Sequence, residues 1–213
     1  IDVWEAENVF YLKSPPSRIA KLISHYELYK RILDLPGAVI ECGVYKGASI
    51  TRFATFRCLL ENECSRKIYG FDAFGKFPNE GLESNLDRKF AAEYDDGGGI
   101  GINQEMLEEL FKEKGFGGIE LIKGNVLHTL TQFEKENPNL KVALLHLDLD
   151  VYEPTLKALQ IFKNYLVKGA VILIDDYGTV EGATKAVDEF VEGTDLQVKK
   201  LGFNYIPSYI VWD

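Results

Sequence analysis

Apolar positions along this chain follow two spacings, and the order in which they take turns predicts its architecture. From Ser14 to Leu33, SPPSRIAKLISHYELYKRIL places Ile19, Leu22, Ile23, Tyr26, Tyr29, Ile32 and Leu33 on one helix face. Ser14 or Ser17 supplies a cap, prolines fill the first turn, and Pro36-Gly37 stops the helix. Residues 1–36 therefore read as a helical N-terminal arm. The stretch before the helix reads as an arm or a contact to another subunit.

From residue 37 onward, short apolar runs alternate with helical stretches. AVIEC predicts a first strand, Ala48 to Leu60 a helix, and KIYGFDAF a second strand. QEMLEELFKEKGF, IELIKG and VLHTLTQFEKE follow as helix, strand and helix. Val142–Asp148 and Ala170–Asp175 flank the predicted helix TLKALQIFKNYL, which Gly169 follows as its loop residue. TKAVDEFVE is a last helix before the strands LQVKKL and SYIVW. Such alternation implies an α/β fold with a parallel sheet and right-handed crossovers. The last two strands have no helix between them, which predicts an antiparallel hairpin at one edge of a seven-stranded sheet. Between Lys76 and Asn103 the pattern dissolves into charges and glycines, as in a lid, a binding loop or a disordered insertion.

Composition narrows the partners. Acidic residues outnumber basic ones 33 to 24, a formal charge of −9, which disfavours nucleic acid and anionic membranes as partners. No apolar run approaches the roughly 20 residues that span a bilayer, and no secretion signal is evident. Cys42, Cys58 and Cys64 have neither CxxC nor zinc spacing, so they read as reduced, buried thiols of a cytoplasmic protein.

The turn after the first strand, IECGVYKGAS, has the pattern ExGxxxG, with Glu41 where a dinucleotide fingerprint carries its first glycine. A carboxylate there repels a pyrophosphate and suits an ammonium. S-adenosylmethionine, with a zwitterionic methionyl end, a sulfonium and no phosphate, is such a ligand. Gly43 and Gly47 also suit a plain strand-to-helix turn. Asp72 ends the second strand, where a ribose diol is usually gripped, and Asn125 follows the third, within reach of an adenine amine.

LLHLDLDVYEP and GAVILIDDYG end two neighbouring strands in Asp148, Asp150, Asp175 and Asp176. Carboxylates this close repel unless a proton or cation intervenes, and an all-oxygen set suits Mg²⁺. Alternation points Asp150 away from Asp148 and toward the start of the next helix. LLHLDLDVYEPT also bears a superficial likeness to the haloacid-dehalogenase phosphatases, in which Asp148 would be the nucleophile. That signature leaves no room between DxD and DD for its other strands, and leaves the glycine turn unexplained.

Taken in order, VIECGVYKGAS, IYGFDAFGKFP, LLHLDLDVYEPT and GAVILIDDYG resemble the macrocin O-methyltransferases, a family of metal-dependent class I methyltransferases acting on sugar hydroxyls of natural products. The resemblance runs from about Gly37 to the C-terminus and implies a Rossmann-like domain over 37–213, with the 76–103 segment as a lid or substrate insertion. It implies that Glu41, Gly43, Tyr45, Gly47 and Ser49 surround the methionyl end of S-adenosylmethionine, that Asp72 holds its ribose, and that Asn125 and Val126 border its adenine. Asp148, Asp175 and Asp176 would hold Mg²⁺, with Asp148 also the general base. HLDLD departs from the family pattern, which leaves His146 as a second candidate base. The implied acceptor is a sugar, nucleotide-linked or in a natural-product glycoside, or alternatively a catechol-like ring; Phe74, Phe77 and Tyr94 suit either. A homo-oligomer is expected.

Overall fold

The protein is described by a computed structural model covering residues 2–82, 84–97 and 99–213. Its strands are β1 (Ala38–Cys42), β2 (Ile68–Asp72), β3 (Ile119–Lys123), β4 (Val142–Leu147), β5 (Leu166–Ile174), β6 (Lys199–Leu201) and β7 (Asn204–Val211). They form one seven-stranded sheet in the order β3-β2-β1-β4-β5-β7-β6. The first five are parallel, and β7 runs antiparallel to both β5 and β6, as the missing final helix predicts. The order reverses beside β1, and open α/β sheets bind ligands at that switch point, outside the carboxyl ends of the strands.

The helices are α1 (Val3–Lys13), α2 (Pro16–Tyr29), α3 (Ala48–Leu60), α4 (Asn85–Asp96), α5 (Gln104–Glu113), α6 (Val126–Glu136), α7 (Tyr152–Phe162) and α8 (Glu181–Val191). Two apolar layers sandwich the sheet. On one face Leu28 and Tyr29 of α2, Ile50 and Phe53 of α3 and Leu107 of α5 cover Val39, Leu144 and Leu173. On the other, Leu130 of α6, Leu159 and Phe162 of α7 and Val187 of α8 cover Ile40, Leu145 and Ile172. Successive strand residues feed opposite layers, the period-two rule of a strand buried on both faces.

Several sequence-based expectations are corrected here. Residues 16–32 are not a detached arm: Leu28, Tyr29 and Ile32 are fully buried in the first layer. Arg66 fastens the end of this segment by donating to the carbonyls of Ile32, Leu35 and Gly37 while pairing with Glu61 at 2.7 Å. Only α1, which has no buried residue, projects as an arm. The 76–103 segment contains α4, whose charge-rich sequence hides the helical spacing of Phe90, Ala91 and Tyr94. The helix after β4 stops at Phe162, and β5 begins at Leu166. Gly169 lies inside β5 at φ +85°, where the pairing with β4 shifts register. Cys42 is buried, but Cys58 and Cys64 are exposed.

Candidate active site

β1 delivers the chain to the switch point, and Gly43 lets it turn there. Its φ is +92°, and a Cβ would lie 1.7 Å from the Asp148 carbonyl oxygen, so only glycine allows the tips of β1 and β4 to meet this closely. Asp148 N–H donates to Cys42 across the same junction at 2.9 Å. Asp72, at the end of β2, locks the turn: Oδ2 accepts from the amides of Val44 at 2.8 Å and Tyr45 at 2.9 Å, and Oδ1 from Phe74 at 2.6 Å. A carboxylate has about four lone-pair sites, so Asp72 retains capacity toward the open side.

That open side is a cavity of about 270 Å³ whose wall includes Gly43, Tyr45, Asp72, Asn125, Val126, Asp148 and Asp175 from the expected set. Glu41, Gly47, Ser49 and Asp176 are not on the wall. Glu41 is fully buried behind the turn, where its Oε1 accepts from Ser49 Oγ at 2.5 Å and lies 3.8 Å from His146 Nδ1. Gly47, at φ +79°, caps α3 and makes room for Leu107. Asn125 caps α6, accepting from Leu127 N–H at 3.0 Å and donating to the Glu80 carbonyl at 3.3 Å. Phe74 is buried in the first apolar layer, whereas Phe77 and Tyr94 face the cavity. His146 is fully buried and off the cavity wall.

The aspartates separate by strand alternation. Asp175 continues the face of Leu173 and meets α2, where Lys21 Nζ donates to its Oδ2. Asp176 turns to the other face, and its Oδ2 accepts from the Asp150 amide at 3.1 Å. Ligand oxygens of Asp148, Asp150 and Asp176 lie within 4.8 Å of one another. Asp150 thus faces the cluster rather than starting a helix, because β4 ends at Leu147 and Asp150 reverses the chain at φ +64°. It stands beside Asp148 and Asp176, while Asp175 lines the same cavity and its charge also bears on Asp148. Lys21 was not singled out in the sequence: it is distant along the chain and outside any motif.

Burial, then the charges of Asp175 and Asp176, holds the Asp148 carboxyl well above the usual carboxylate range, although its side chain keeps 28% exposure to the cavity. Burial and Asp150 do the same to Asp176. Asp150 is pushed up to about 6 by burial and by Asp175. For Lys21, burial works against the charge, but Asp175 and Asp148 outweigh it and raise its proton affinity. Crowded carboxylates that share one cation and resist full ionisation are the environment in which a divalent ion binds well.

α4 roofs the cavity. Tyr94 packs on Tyr45 at 5.5 Å and on Phe77 at 5.7 Å between ring centres. Asp87, 3% exposed, anchors this helix beside the start of α7, accepting from Tyr152 N–H at 3.4 Å.

A glycine turn under a sheet of this order, with an acid ending β2 and acids ending β4 and β5, defines a Rossmann-like class I methyltransferase fold. Residues 18–202 match the Macrocin-O-methyltransferase (TylF) family, and the chain belongs to it. This is a family of S-adenosylmethionine-dependent O-methyltransferases. The chain is 27% identical over 160 residues to 8-demethyl-8-(2,3-dimethoxy-alpha-L-rhamnosyl)-tetracenomycin-C 4'-O-methyltransferase of Streptomyces olivaceus, covering 73% of this chain and 58% of that protein. It superposes along its whole length on CalS11, described as a calicheamicin methyltransferase, at a TM-score of 0.72 and 26% identity, covering 86% of that chain. In a second structure CalS11 is described as a TDP-rhamnose 3'-O-methyltransferase. The O-methyltransferase NovP shares the fold at a TM-score of 0.74 and 19% identity, over 90% of this chain and 79% of that one. The phosphatase reading accounts for none of this and is set aside. Among the described residues no helix is long and apolar enough to cross a membrane.

Proposed function

We propose that this protein methylates a hydroxyl of a sugar, one of a neighbouring pair of hydroxyls, using S-adenosylmethionine and Mg²⁺ in natural-product biosynthesis. The observation that carries the reading is that one cavity is lined by both the Asp72-locked turn and the carboxylates Asp148 and Asp150, behind which Asp176 completes an oxygen cluster. Family membership and the sugar-modifying relatives support it.

The donor supplies a methyl group on a sulfonium. Asp72 would grip the ribose with its remaining acceptor capacity, and Asn125 and Val126 would flank the adenine. Glu41, buried behind the glycine turn and fixed by Ser49, would support the turn that receives the methionyl end. Asp148, Asp150 and Asp176 fit a hard divalent ion by their oxygen-only chemistry, and they would hold Mg²⁺. Such an ion increases the acidity of a bound hydroxyl and orients it. Asp148 lines the cavity and would accept the proton as the acceptor oxygen is methylated. Tyr45, Phe77 and Tyr94 offer rings to the acceptor's apolar face and exclude water.

Exposed apolar side chains on α1, Trp4 and Leu12 among them, support a homo-oligomer, to be read from the solution mass. The function itself is tested with nucleotide-linked and glycosylated 6-deoxysugars: methyl transfer is abolished by EDTA and restored by Mg²⁺. Metal-independent transfer, or transfer to catechols alone, overturns the reading.

A further inference from the structure

Four carboxylates meet beyond the tips of β4 and β5, and one cation serves them. Among the described residues Lys21 of α2 is the only basic side chain ion-paired with Asp148, Asp150, Asp175 or Asp176. Its Nζ donates to Asp175 Oδ2 and stands 4.0 Å from Asp148 Oδ2. Lys21 lines the cavity together with Asp148, Asp150 and Asp175. The arrangement is incomplete at Asp175. This residue is only 7% exposed, yet its Oδ1 has no hydrogen-bond partner. Buried acceptors left open in this way are uncommon, and this one belongs to the carboxylate that Lys21 holds by its other oxygen.

We propose that Lys21 is a built-in counter-cation of the acidic cluster, a positioning residue that holds the carboxylates together before a divalent ion arrives and gives way when it binds. The inference rests on the reading of these acids as the Mg²⁺ site. One ammonium among four acids offsets only part of their mutual repulsion, so the cluster keeps a demand for more positive charge. A divalent ion on Asp148 would lie within a few ångström of Lys21 Nζ, where like charges in a half-buried place repel strongly. Lysine is suited to leaving. Its ammonium ends a flexible four-carbon stem and makes no bidentate fork with a carboxylate, as a guanidinium would. The helix need not move with it, because Leu28 and Tyr29 fix the later turns of α2 in the apolar layer. The Lys21 side chain keeps 20% exposure, so a rotation of the stem carries Nζ into the cavity. Its departure frees Asp175 Oδ2 beside the already open Oδ1. Lys21 would thus set both the shape of the cluster and its affinity for the ion.

The test titrates the chelator-stripped protein with Mn²⁺ alone and follows the free metal by electron paramagnetic resonance. Lys21→Met, which keeps an unbranched stem without the charge, is expected to bind Mn²⁺ at least about tenfold more tightly than the unaltered protein. Lys21→Arg, which keeps the charge and adds a fork, is expected to bind no more tightly than the unaltered protein. Should Lys21→Met fail to fold, amine labelling of the unaltered protein decides. Acetylation of Lys21, read by mass spectrometry, is expected to rise several-fold at saturating Mn²⁺, while that of the exposed Lys112 on α5 stays constant. Equal or weaker Mn²⁺ binding by Lys21→Met, or labelling of Lys21 that stays low at saturating Mn²⁺, overturns the proposal and leaves the Mg²⁺ reading standing. An unaltered protein that binds no Mn²⁺ overturns both.

Discussion

The tips of β4 and β5 present two different environments, one on each side of the sheet. On the α2–α3 side lie Glu41, His146, His25 and Asp175, sealed from solvent except at Asp175 and rich in polar atoms without partners. On the cavity side lie Asp72, Asp148 and Asp150, half-exposed and engaged with amides or with one another, with Asp176 just beneath. Strand alternation produces the division: Asp175 and Asp176 are adjacent in sequence yet serve opposite faces. The open side is arranged for a reacting molecule, and the closed side for holding α2 against the sheet.

The largest expected effect separates these sides. Asp148→Asn should lower methyl transfer by about 10²–10⁴-fold, the range for losing a general base. Binding of S-adenosylhomocysteine by calorimetry should change only a few-fold. If both fell together, Asp148 would belong to donor binding rather than to chemistry.

Asp72→Ala removes three charge-assisted hydrogen bonds that shape the glycine turn. Its S-adenosylhomocysteine Kd should rise roughly 100-fold, from bonds worth about 1.5–3 kcal/mol each but partly replaced by water. A variant that bound the product normally would show that the turn keeps its shape unaided.

A smaller change is expected at the roof. Tyr94→Ala should raise the acceptor KM about tenfold, in line with loss of an aromatic contact, while kcat and S-adenosylhomocysteine affinity stay within about threefold. A fall confined to kcat would instead assign Tyr94 to the reacting atoms.

The smallest effect is a pH dependence without metal. Asp150 rises from 3.8 to about 6 on folding, through burial and the Asp175 charge, so across that window the native protein holds a proton the unfolded chain has released. Stability must then fall as pH rises through the window, and the raised carboxyls of Asp148 and Asp176 act with the same sign. Urea midpoints of the metal-free protein should decline accordingly, less so in Asp150→Asn and least with saturating Mg²⁺. A rising midpoint would mean that the cluster is already neutralised by Lys21.

What the sequence reveals about this molecule tracks how local each signal is. The strands and the antiparallel edge hairpin follow from apolar runs such as AVIEC and VALLHL and from the missing last helix, and the glycine turn and Asp72 from residue type at strand ends. Three features depended on contacts or conformations the chain pattern does not encode. Lys21 reaches Asp175 across 154 positions. Asp150 joins the cluster only because a left-handed residue ends the strand's alternation. α4 is a helix whose apolar face is short and flanked by charges, so its periodicity is weak without the cavity it covers. Gly169 misled for a related reason: the same left-handed freedom that ends helices also makes a bulge inside a strand.

The most direct check on the oxygen cluster is a crystal of the complex with S-adenosylhomocysteine grown in Mn²⁺, examined by anomalous scattering. The account expects a manganese peak bonded to Asp148, Asp150 and Asp176 oxygens and facing the cavity. A peak on other residues, or carboxylates that remain bonded only to Lys21 and backbone amides at saturating Mn²⁺, would contradict it.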